Sequence, residues 1–150
     1  MSQSSTVELY KGDLPPGRFT AKAIAVDTET LGLNPHRDRL CLVQLSDGDG
    51  TAALVQIAPG SDAPELRQLL ADASVLKIFH YARFDVAMLK HYLGVDTAPI
   101  YCTKIASKLA RTYTDRHGLK DLCREVLGIE LSKQQQSSDW GADTLSPDQL

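Results

Sequence analysis

The apolar pattern of this chain changes period once, and that change restricts the fold more than any other feature. Segments 22–27 (KAIAVD), 40–46 (LCLVQLS) and 51–57 (TAALVQI) are strand-length runs rich in Val, Ile and Leu. The links between them, GLNPHRD and DGDG, are short and made of turn residues, which predicts an antiparallel meander. Helical spacing then takes over. SDAPELRQLLADA puts Leu66, Leu69, Leu70 and Ala73 on one stripe, with Ser61 or Asp62 as its cap. VLKIF (75–79) reads as a fourth strand and ARFDVAMLKHYLG as a helix. PIYC reads as a short fifth strand, and Thr103 as the cap of a helix over KIASKLART. A last helix over 119–127 carries Leu119, Leu122, Cys123, Val126 and Leu127 as a core-facing stripe and stops at Gly128. Meandering strands followed by strand–helix alternation predict an α/β domain, a mixed sheet flanked by helices. The polar opening segment to about Gly17, with its DLPPG turn, is expected to pack as an arm.

Bulk properties bound the function. With 150 residues, 43% hydrophobic and 23% charged, residues 1–150 suit a single domain with a real core. No apolar run is long enough to cross a bilayer, and the N-terminus lacks a basic-then-apolar leader. The three cysteines, Cys41, Cys102 and Cys123, are widely spaced without a CxxC. They read as reduced thiols of a cytoplasmic protein with no membrane partner. The net charge of −3 gives no overall basic field for duplex DNA. It leaves room for an enzyme that meets phosphates through bound cations.

Two segments carry the chemistry. AIAVDTET begins as a buried strand and ends with Asp27 and Glu29 two residues apart, so both carboxylates share one face. Like charges this close repel unless one is protonated or a cation sits between them, and hard divalent ions favour carboxylate oxygen. A solvated turn pair is the plainer reading of Asp-x-Glu alone. KIFHYARFDVAML repeats the arrangement, with His80 after a strand and Asp85 early in a helix among Phe84, Val86, Met88 and Leu89. Asp85 alone could serve the helix N-terminus, and His80 alone could be a hydrogen-bonded loop or core histidine. Three carboxylates from two strand ends can instead hold two metals roughly 3.5–4 Å apart, the spacing of in-line phosphoryl displacement.

VDTETLGL resembles the first motif of the DEDD exonuclease superfamily, and HYARFD the second. DTETLGLNPHRDRLCLVQLSDGDGTA, CTKIASKLARTYTDRHGLKDLC and SKQQQSSDW together resemble the NrnC family of ribonuclease D-like nano-RNases, over nearly the whole chain. The resemblance implies a ribonuclease H-like (DnaQ-like) fold. It makes Asp27, Glu29 and Asp85 catalytic ligands of two divalent cations, Mg2+ or Mn2+. It further implies 3′-5′ hydrolysis of very short single-stranded RNA, dinucleotides above all, or of short DNA, and a ring-like homo-oligomer. Ribonuclease D-like trimming of longer structured RNA is the alternative activity. A catalytically inactive nucleic-acid-binding or assembly module is the alternative class. The family's third motif, a Tyr-x-x-x-Asp helix after SDW, does not follow Trp140 in residues 1–150. TLSPDQL places Ser146, Pro147 and Gln149 at the cap, first and third helical positions. We therefore expect a chain cut short before that helix and, as it stands, catalytically crippled. Asp121, in HGLKD, has the wrong spacing for the missing acid and reads as solvated surface.

The resemblance adds Thr28, Leu31, His80, Phe84, Gln136, Ser137 and Trp140 as substrate-binding residues. Leu31 would wedge against terminal bases, or simply pack in its turn. KQQQSSDWGAD would form an active-site wall with Trp140 stacking on bases, or a polar linker. Arg111, Arg116 and His117 would meet phosphates, or belong to a solvated inter-helix loop.

Overall fold

The computed structural model describes residues 5–132 and 138–150. Its strands are β1 (Thr6–Lys11), β2 (Ala23–Thr30), β3 (Leu40–Ser46), β4 (Thr51–Gln56), β5 (Leu76–Phe79) and β6 (Ile100–Cys102). Its helices are α1 (Pro64–Ala71), α2 (Ala82–Leu93), α3 (Thr103–Ala110) and α4 (Leu119–Leu122), the last running on as a π-helical turn over Cys123–Leu127. The strands form one sheet in the order β1-β4-β3-β2-β5-β6. β2, β3 and β4 pair antiparallel, while β5 and β6 continue parallel to β2. This is the expected mixed sheet.

The main core lies on the sheet face that α1 and α2 cover. Ile24, Val26, Val43, Leu45, Val55 and Phe79 meet Leu66 and Leu70 of α1 and Met88 and Leu89 of α2 there. The opposite face holds a smaller cluster of Cys41, Leu42, Leu54, Trp140 and Leu145. That cluster covers only part of the face, because Ala25, Asp27 and Gln44 remain exposed. Lys77 is fully buried in β5, where its ammonium donates to the carbonyls of Asp72 (2.7 Å), Val75 (2.6 Å) and Ala98 (2.7 Å). Three acceptors replace its hydration shell and tie together the segments that lead into β5 and β6. Burial lowers its pKa.

Four expectations need correction. The N-terminal arm contains a strand, β1, paired parallel with β4 from Thr6↔Thr51 to Lys11↔Gln56. Neither Ser61 nor Asp62 caps α1. The N-cap is Ala63, and Asp13 reaches across to accept the amides of Glu65 (2.9 Å) and Leu66 (2.9 Å). Thr103 is the first residue of α3 rather than its cap, and its hydroxyl donates to Phe79 O (3.1 Å). The stripe over 119–127 does not face the core: Leu119, Val126 and Leu127 are 45%, 67% and 64% exposed. An amphipathic stripe buries itself only against a partner, and no element among the described residues covers this one. Ile105, Leu109, Tyr113 and Ile129 are exposed as well. At the C-terminal end, the predicted cap closes a single turn in which Gln149 Oε1 accepts from Ser146 N (2.8 Å).

Candidate active site

β2 carries Asp27 and Glu29 to the exposed face of the sheet, opposite Gln44 and Leu42 of β3. Register shifts between Glu29 and Thr30, the kind of bulge that re-aims side chains at a strand end. Thr28 faces the other way, is buried, and donates its hydroxyl to Asp85 Oδ1 at 2.5 Å. Asp85 lies in the first turn of α2 and is itself 4% exposed. One hydrogen bond thus fixes the helix-borne carboxylate to the strand that bears the other two.

The three acids burden one another. Burial first, then the charges of Asp27 and Asp85, push Glu29 up to about 7. Burial also pushes Asp85 up to about 7, Asp27 adding to the rise and the Thr28 hydroxyl opposing it. Asp27 is raised by burial against the amide of Thr28, which donates to its Oδ1 at 3.0 Å. As a residue Asp27 is nonetheless exposed, on the open side of β2. None of them joins an ion pair among the described residues. Nor do any three His, Cys, Asp or Glu side chains there already stand in metal-binding geometry. The donor chemistry nonetheless fits a divalent cation: hard oxygen ligands, mutually repelling, with no internal counter-charge.

The surrounding residues sort themselves by packing. His80 follows β5 and pairs through Nδ1 with the Thr103 hydroxyl at 2.9 Å. Burial, with Lys104 nearby, lowers its pKa, which favours the neutral ring. Phe84 is half-buried against the main core. Trp140 is 6% exposed, its indole enclosed with Cys41, Leu42, Leu54 and Leu145. The ring named as a stacking residue thus lies within a hydrophobic cluster on the sheet. Gln136 and Ser137 lie outside the described residues. Leu31 is 51% exposed, and Leu33 on the same turn is 82% exposed. Arg111 is turned inward instead of toward phosphates, bonded to Ser107 Oγ (2.9 Å), Arg116 O (2.7 Å) and Glu125. His117 pairs with Ser107 Oγ at 2.7 Å. Asp121 pairs with Arg124 at 2.9 Å, consistent with a surface role.

Tyr81 and Lys104 went unread in the sequence. Tyr81 is the N-cap of α2 with φ 72°, a left-handed backbone that costs a non-glycine residue about 1–3 kcal/mol. Its ring is 46% exposed, and the Lys104 ammonium stands 4.3 Å from the ring centroid. No local signal marks this pair, because it forms between the starts of two helices.

The geometry agrees with what the chain is similar to. A family model described as 3′-5′ exonuclease matches residues 18–150. Brucella melitensis NrnC with bound Mg2+ superposes with a TM-score of 0.91 at 55% identity, covering 96% of this chain and 71% of that one. The same nuclease bound to pGG gives 0.92 at 57% identity, covering 97% and 72%. Escherichia coli RNase D gives 0.71 at 30% identity, covering 85% and 34%. Ribonuclease D of Gluconacetobacter diazotrophicus is 33% identical over 127 residues, 85% of this chain and 32% of that protein. The chain thus spans about a third of the length of the curated relatives it matches. With its acidic strand end and paired helix carboxylate in a sheet of this order, the chain belongs to the 3′-5′ exonuclease family, alongside the NrnC nucleases.

Proposed function

We propose that this chain provides the catalytic fold of a metal-dependent 3′-5′ exoribonuclease that hydrolyses very short oligoribonucleotides, dinucleotides above all, to nucleoside monophosphates. The observation that carries the reading is the group Asp27, Glu29 and Asp85, each raised in pKa by burial, with neighbouring carboxylate charge adding to the rise at Glu29 and Asp85. Such a cluster is stable when ionised only if cations enter it. The named ligands of the Brucella proteins, Mg2+ and pGG, support the same chemistry at 55% and 57% identity.

In this reading Asp27, Glu29 and Asp85 would together hold the divalent cations. Bound divalent cations supply charge that activates water and offsets the negative charge developing on the phosphate and the leaving 3′ oxygen. Thr28 holds Asp85 in place. Leu31 and Leu33 offer apolar contact for a terminal base, and Tyr81 with Lys104 offers an aromatic face and a cation beside the second carboxylate segment. The net charge of −3 suits a substrate with few phosphates.

Ribonuclease D-like trimming of longer RNA is the second reading, favoured by identities of 33% and 34% to two ribonucleases D. Assay of the full-length protein on 5′-labelled di- and heptanucleotides with Mg2+, Mn2+ or EDTA separates the two. Faster metal-dependent cleavage of the dinucleotide supports the proposal. Equal or faster cleavage of the heptanucleotide supports trimming. Binding without cleavage in either metal points to an inactive binding module.

A further inference from the structure

Arg39 closes the turn that follows Glu29, yet its guanidinium makes no ion pair among the described residues. Among the described residues it donates to main-chain carbonyls: Leu40 O (3.2 Å), Ile57 O (2.8 Å) and Gly141 O (3.2 Å). Its own carbonyl accepts the amide of Leu31 at 3.1 Å. Leu31 is held from the far side too. A Cβ on Gly141 would stand 2.9 Å from Leu31 Cδ2 and 3.4 Å from Arg39 Nη2. A methyl there would therefore force the flexible end of Leu31 to shift. The segment bearing Gly141 is anchored independently. Trp140 is buried beneath it, and Gln56 Nε2 donates to Ala142 O (2.8 Å) and Asp143 O (3.2 Å).

We propose that Arg39 and Gly141 are positioning residues that seat Leu31 for contact with the terminal base of a short oligonucleotide. The proposal rests on the nuclease reading and adds that residues 138–145 set substrate affinity without touching substrate. A half-exposed leucine on a free turn samples several rotamers, and losing that freedom weakens binding. Arg39 fixes the backbone of Leu31, and Gly141 leaves one place for its side chain. The planar fork of Arg39, rather than its charge, does this: Nη1 takes Leu40 O and Ile57 O while Nη2 takes Gly141 O, and a single ammonium does not reproduce that fixed two-nitrogen span.

The test is calorimetric titration of pGG into the chain with Ca2+ in place of Mg2+, for wild type, Gly141→Ala, Leu31→Ala, the double variant and Arg39→Lys. Gly141→Ala displaces only the exposed end of Leu31, so it folds, and thermal unfolding verifies this. Its 13C-methyl resonances from Leu31 shift while those of Leu66 stay. We expect Gly141→Ala and Leu31→Ala each to weaken binding about three- to tenfold. The double variant then binds no more weakly than Leu31→Ala alone, and Arg39→Lys loses affinity despite its retained charge. Wild-type affinity in Gly141→Ala, or losses that multiply in the double variant, would overturn the positioning role alone. A wild-type chain that binds no oligonucleotide would overturn the nuclease reading and this proposal with it.

Discussion

Thr28 Oγ1 and Asp85 Oδ1 stand 2.5 Å apart, joining the middle of the acidic strand to the first turn of the helix that carries the third carboxylate. Both side chains are buried. Asp27 and Glu29 flank Thr28 on the opposite strand face, so β2 bears two acids on one face and holds the third through Thr28 on the other.

Thr28→Val removes that donor at nearly constant volume and leaves a buried carboxylate oxygen without its partner. The expected loss is about 1–3 kcal/mol in urea unfolding, and Thr28→Ser restores most of it. Because the hydroxyl lowers the Asp85 pKa, Thr28→Val also raises the pH at which Asp85 ionises, visible as a shifted carboxyl 13C titration. An unchanged titration would mean the hydrogen bond does not hold Asp85.

Glu29 and Asp85 both titrate near 7 in the fold, well above the 4.5 and 3.8 of the free side chains. Between those values the native state binds more protons than the unfolded chain, so stability falls as pH rises and the decline ends above about 7. Metal-free protein should therefore lose thermal stability from these groups across that window. Mg2+ binds the ionised forms, so it should raise Tm more at pH 8 than at pH 5. Equal Mg2+ shifts at both pH values would remove the carboxylates from the account.

Asp13 accepts two amides at the start of α1 from 52 and 53 residues away. Asp13→Ala should cost about 0.5–2 kcal/mol, the usual worth of a lost N-cap, while Asp62→Ala, an exposed ion pair with Arg67, should cost under about 1 kcal/mol. Chemical denaturation of the two variants checks the order.

Leu109 and Val126 are 77% and 67% exposed. Replacing either with Ser should change the stability of this chain by no more than about 0.5 kcal/mol. Leu66→Ala, at a fully buried site, should cost about 2–5 kcal/mol. A large loss at Val126 would show that its helix packs against a core after all.

The parts of the fold legible in the sequence are those whose cause is local. β2 to β5 are apolar runs largely buried in the sheet, β6 is a short exposed edge run after Pro99, and their type follows from composition and turn spacing. β1 escaped because an edge strand is only half covered: TVELYK alternates exposed and half-buried residues, and Val7 and Leu9 are each 38% exposed. The cap of α1 escaped because it comes from Asp13, far off in sequence. The carboxylates were legible because Asp-x-Glu on a strand fixes a shared face. The packing of Trp140 was not legible because nothing near it in sequence reveals that β3 and β4 supply its partners. Residues 119–127 show the limit of periodicity, which identifies an apolar stripe and says nothing of whether anything covers it.

The central claim is that Asp27, Glu29 and Asp85 hold divalent cations against a 3′-terminal phosphodiester. Anomalous diffraction from crystals soaked with Mn2+ and pGG tests it most directly. The account predicts Mn2+ about 2.1 Å from oxygens of Asp27 and Asp85, with Glu29 in the same cluster and the phosphate alongside. Mn2+ ordered elsewhere, or three carboxylates turned apart with no ion among them, would contradict it.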